Sequence, residues 1–77
     1  MKTFKYLCNT LVEGKIIAVE AFGFFVNIKD EDYHVGLIHR DEVFRENLVF
    51  AVGQSVLCKT LHDSDEREIK LRFVKFL

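Results

Sequence analysis

A chain carrying Phe22-Gly23-Phe24-Phe25-Val26-Asn27-Ile28 has little freedom in how that stretch folds. Aromatic and β-branched side chains crowd it, and these suit the pleated, half-buried surface of a strand. From Phe24 onward the alternation is regular. Phe24, Val26 and Ile28 share one face; Phe25, Asn27 and Lys29 share the other. The first set predicts a core face. The second places an aromatic ring beside an amide and an ammonium on the solvent side. Strict alternation would add Phe22 to the core face, but a glycine inside a strand predicts a bulge or a sharp bend. A bulge at Gly23 reverses the parity, so Phe22 is expected outside, next to Phe25. Two phenylalanines on the wet face of one small sheet are costly unless a flat apolar partner covers them.

Composition bounds the rest. The 77 residues make one domain, and a chain of this size buries roughly 60–65% of its unfolded surface. Eight phenylalanines and a 49% hydrophobic content let so short a chain build a core without staples. Cys8 and Cys58 could pair, yet Cys58 lies in a run that reads as strand interior, where a free thiol behaves as a small apolar group. Both are expected reduced and the protein cytoplasmic. No apolar run approaches the roughly 18 residues that span a bilayer. Met1-Lys2-Thr3-Phe4-Lys5 is followed by neither the apolar stretch nor the cleavage site of a signal peptide. The net charge of −1 matters most. Nucleic-acid binders are commonly basic, because phosphate contacts supply much of their affinity. Any such binding here has to come from local cation clusters and stacking, and is expected to be weak for the domain alone.

In chain order, residues 1–10 read as a leader or a pre-strand crossing a barrel. Leu11 to Ala21 reads as a first strand, with Val12, Gly14, Ile16 and Ala18 in one register and Lys15, Ile17 and Val19 in the other. Its mixed pattern suits a strongly curved strand serving two sheets. Phe24 to Ile28 follows, then a polar connection at Lys29-Asp30-Glu31-Asp32 and a brief third strand, Val35 to His39. Asp41 is a candidate N-cap for a short helix through about Leu48, whose Val43, Phe44 and Leu48 would plug one barrel end. Val52-Gly53-Gln54 turns the chain into a fourth strand, Ser55 to His62. After the polar turn from Asp63 to Arg67, the last strand runs from Glu68 to about Phe76, with Ile69, Leu71 and Phe73 inward and Lys70 and Arg72 outward. The absence of proline suits a chain of paired strands. Periodicity alone predicts an all-β small barrel; a five-stranded chain with a short helix between strands 3 and 4 has the element order of an OB-fold barrel, which is the expected architecture.

Five segments sharpen this: Gly14-Lys15-Ile16, Phe22-Gly23-Phe24-Phe25-Val26, Gly36-Leu37-Ile38-His39, Val52-Gly53-Gln54-Ser55-Val56 and Ile69-Lys70-Leu71. In that order and spacing the chain resembles the S1 RNA-binding domain, an OB-fold module, over residues 11 to about 73. The resemblance implies that Phe22 and Phe25 are RNA-facing aromatics and that His39 is the binding-face histidine. It implies an acidic and a basic contact around the last hairpin, which Asp63 and Arg67 match, although the turn here is one residue longer. The arginine usual in the family just before the Ile-x-Leu segment is Glu68 in this chain, so Arg67, Lys70 and Arg72 are the alternatives for the basic contact. Asp41-Glu42 replaces a Ser-Glu pair, with Arg40 before it, and Phe24 stands where the family often has a small residue.

The function expected from residues and resemblance together is binding of single-stranded RNA with low sequence specificity. Phe22, Phe25 and His39 form the stacking platform, flanked by Lys15, Asp63, Arg67, Lys70 and Arg72; Lys29, Arg40 and Lys59 are further cations able to track phosphate. The setting the resemblance implies is translation or RNA metabolism, with ribosomal or RNA-processing proteins as further partners. A protein–protein interaction module is the alternative, since OB-folds host many functions and the acidic loops leave it open. Cys58-x-x-x-His62 offers ligand types on one strand face, but about 13 Å apart, too far for one tetrahedral ion. With no cofactor motif, no Gly-rich phosphate loop and no nucleophile–base pair, an enzyme is not expected.

Overall fold

The computed structural model describes residues 9–30, 34–44, 47–62, 64 and 68–77. The period-2 patterns become five strands: β1 (Leu11–Glu20), β2 (Gly23–Ile28), β3 (Val35–His39), β4 (Ser55–Thr60) and β5 (Ile69–Phe76). They form a closed barrel in the order β1-β2-β3-β5-β4. All neighbours are antiparallel except β3 and β5, whose parallel pairing closes the sheet. Closure removes the open edges that would make so apolar a chain prone to edge-to-edge association. The core is filled by the inward set of each strand: Ile16, Val26, Ile28, Ile38, Val56, Cys58, Ile69 and Leu71 are almost wholly buried, with Val12, Phe24 and Phe73 close behind. Cys58 is a free thiol, and burial pushes its pKa from 9.0 up to about 12.

Three sequence expectations need correction. The bulge is not at Gly23 but in β1, where the register against β2 shifts between Ile16 and Ala18. The extra residue, Ile17, moves Ala18 out of the core register and pairs it with Phe25, while Val19 pairs with Phe24. Gly23 itself is regularly paired, with Glu20 on one side and His39 on the other. It is glycine for lack of room, since a Cβ there would run into the carbonyl oxygen of Ile38. Phe22 lies outside for a different reason from parity: with Ala21 it forms the two-residue turn between β1 and β2.

The helix expected from Asp41 to Leu48 is only a single 3-10 turn, Arg40–Glu42. His39 occupies its N-cap position without a side-chain cap bond, so Asp41 does not cap, and Val43 is already extended. The barrel end is closed by irregular chain instead. Phe44 is 70% exposed; Val43, Leu48 and Phe50 pack against the core. Phe50 carries most of the closure: its ring stacks on Phe24 with centroids 4.0 Å apart and meets Phe73 at 5.0 Å and Phe76 at 5.1 Å. Gly53, at φ 96°, makes the turn into β4 in a conformation open mainly to glycine. The leader or pre-strand expected over residues 1–10 lies almost entirely outside the described residues. Asn9 and Thr10 hydrogen-bond the buried Thr60 at the end of β4.

Candidate nucleic-acid interface

The outward faces of β1, β2, β3 and β5 form one continuous surface, because residues paired across strands point to the same side. One row across it reads Ala18, Phe25, Leu37, Lys70. The next row toward the open end of β1 and β2 reads Lys15, Asn27, Val35. Beyond the other side of the Phe25 row lie His39, two residues after Leu37 on β3, and Arg72, two after Lys70 on β5.

Phe22 is 49% exposed and Phe25 half-buried, their centroids 5.9 Å apart with ring planes at 84°. Phe22 therefore presses its neighbour edge to face, an arrangement that fixes two apolar surfaces at right angles. The turn that carries Phe22 is held by Arg40. Its Nε donates to the Ala21 carbonyl at 2.6 Å, its Nη2 to the Glu20 carbonyl at 3.1 Å, and its backbone N–H to the Phe22 carbonyl at 3.1 Å. The guanidinium also lies 4.9 Å over the Phe24 ring. Two-residue hairpin turns favour positive φ at their centre, and neither Ala21 nor Phe22 adopts it. The arginine fork offsets the resulting tendency of the strands to splay. The sequence marks Arg40 only as one more cation able to track phosphate; its bracing role depends on a tertiary approach that no local pattern signals.

The other cations are sorted in the same way. Arg72 is drawn to Glu42, Nε to Oε2 at 2.8 Å, and its guanidinium covers the Phe44 ring at 5.0 Å. That leaves it poorly placed to stand free over Phe25. Lys70 sits beside Leu37 in the central row, and Ser64 fixes its backbone: the Lys70 N–H donates to Ser64 Oγ at 2.7 Å, and that hydroxyl donates to the Lys70 carbonyl at 2.8 Å. Lys15 is exposed on β1 opposite Asn27, on the same surface but one row away from the rings. His39 has a side chain 55% exposed, with Asp41 Oδ2 3.7 Å from its Nδ1, a loose pairing. Asp63 and Arg67 lie outside the described residues.

Two shallow grooves flank Leu37. One is bordered by Phe25, Val35 and Glu68, the other by His39, Asp41, Glu42 and Lys70, and Glu68 borders both. The structure thus brings Phe22, Phe25, His39 and Lys70 to one side of the barrel. It adds Leu37 as the apolar floor between the grooves, a residue whose shared parity with His39 was the available sign. Among the described residues no cluster of three metal-ligating side chains exists, and no helix is long and apolar enough to cross a membrane.

A closed five-stranded barrel with a solvent-facing aromatic pair on β2 and its turn defines an OB-fold binding module. The family model described as the S1 RNA binding domain matches residues 8–72, and the chain belongs to that family of RNA-binding domains. Among solved structures it is similar to the uncharacterized protein MJ1198 from Methanocaldococcus jannaschii, with a TM-score of 0.69, 22% identity and 96% of each chain covered. At that identity the likeness speaks for the fold alone. No curated protein matches the chain.

Proposed function

We propose that this domain, spanning residues 11–77, binds single-stranded RNA with low sequence specificity by stacking bases on Phe22 and Phe25. The observation that carries the reading is the edge-to-face pair itself, held outside the core by the Arg40-braced turn, with His39 following on β3. Stacked bases contribute on the order of 1–3 kcal/mol each and make little demand on sequence, since every base has a flat face. The remaining contribution is electrostatic, and the overall charge of −1 keeps it small. The affinity is then micromolar or weaker and declines with salt. Work in translation or RNA metabolism belongs to the same reading.

Titrating a fluorescently labelled oligopyrimidine RNA into the protein tests it. The Phe22→Ala/Phe25→Ala double variant is expected to lose at least tenfold in affinity, as removal of about 1.4 kcal/mol of stacking requires. Unchanged affinity in that folded variant would falsify the reading.

A further inference from the structure

The two ends of the binding face differ in how their charges are occupied. On the β3–β5 side Arg72 is drawn to Glu42, and carboxylates of Asp41, Glu42 and Glu68 border the grooves. On the β1–β2 side Lys15 and Lys29 are exposed and have no ion-pair partner among the described residues. A groove of about 490 Å³ lies between them, bordered also by Asn27, Ser55 and Leu77, with Glu13 beside it. Asn27 Oδ1 is the one buried side-chain polar atom without a hydrogen-bond partner among the described residues.

We infer that this groove is a ribose-phosphate subsite, so that a bound RNA strand runs along β2 from the rings toward Lys15 and Lys29 and not across β3 and β5. The inference rests on the RNA-binding reading above and adds the path of the strand to it. Phe25, Asn27 and Lys29 alternate on one face of the β2 segment, which puts Lys29 about 13 Å from Phe25. That distance takes up to about four stacked nucleotide steps. The two ammonium groups face successive phosphates across a groove lined by Asn27 and Ser55.

The test compares an oligouridine octamer with the dinucleotide UpU, using fluorescence anisotropy and ¹H–¹⁵N NMR on the full chain. Lys15→Gln and Lys29→Gln are each expected to lower the slope of log affinity against log salt by about 0.7 for the octamer, and the double variant by about 1.4. Lys75→Gln, an equal change of charge elsewhere on the barrel, leaves the slope unaltered. The dinucleotide is too short to reach the groove, so its affinity is the same for all of these variants, and the Asn27 side-chain amide resonances move with the octamer only. If the lysine variants keep the wild-type slope while Phe22→Ala/Phe25→Ala still abolishes binding, the proposed path is wrong and the RNA-binding reading survives. If Lys75→Gln lowers the slope equally, the effect is one of net charge and the subsite is again rejected. If the wild-type chain binds neither ligand, the RNA-binding reading itself fails and the subsite with it.

Discussion

Arg40 shows what a single side chain contributes to this face. Its fork onto the Glu20 and Ala21 carbonyls holds the turn from which Phe22 projects. Replacing it with glutamine should therefore weaken octamer binding about fivefold, equivalent to roughly 1 kcal/mol, through loss of ring placement. The salt slope separates this from a phosphate contact: it stays at the wild-type value if Arg40 only positions Phe22, and drops by about 0.7 if Arg40 meets phosphate. Cys58 is the opposite kind of residue, with no part in the surface. Its thiol is raised to about 12 by burial, against 9.0 as the reference for an exposed chain. Below pH 9 both folded and unfolded states keep the proton, and this group has no effect on the pH dependence. Between pH 9 and 12 the unfolded state releases the proton and the folded state retains it, so stability falls as pH rises, by up to about 1.4 kcal/mol per unit. Urea unfolding of wild type and Cys58→Ala at pH 8 and pH 10 checks this: the difference in stability between the two proteins should shrink at the higher pH.

The elements differ in how far they could be read from sequence. β2 and β5 were legible because Phe24, Val26 and Ile28, and Ile69, Leu71 and Phe73, alternate cleanly into one core. The segment after β3 was not. Asp41 with Val43, Phe44 and Leu48 imitates a capped amphipathic helix, yet tertiary contacts to the barrel end outcompete local propensity. Phe50 fell outside that pattern and became the plug. Phe50→Ala should cost about 3 kcal/mol, the low end for a phenylalanine truncation because the ring is only half-buried, as read from the denaturant midpoint. Phe44→Ala should shift that midpoint far less, since its ring is largely exposed. The site residues were legible as residue types but not as states. Nothing in the local sequence says that Arg72 is drawn to Glu42 or that Gly23 is dictated by the Ile38 carbonyl.

At the scale of the whole barrel, stability and the proposed binding share one sheet. The sheet that buries the core inward presents the rings, Leu37 and the lysines outward, so strand register fixes both at once. The bulge at Ile17 is the point where this coupling is set, because it pairs Ala18, a small residue, with Phe25. The barrel is closed by the β3–β5 seam, where only three residue pairs meet: Gly36 with Ile69, Leu37 with Lys70 and Ile38 with Leu71. With fewer pairs than any other seam of the barrel and the slightly weaker parallel geometry, its parting should be the easiest breach of the native state. Amide hydrogen exchange would then find Leu71 less protected than Val26 and Val56, equally buried but bonded within longer antiparallel ladders.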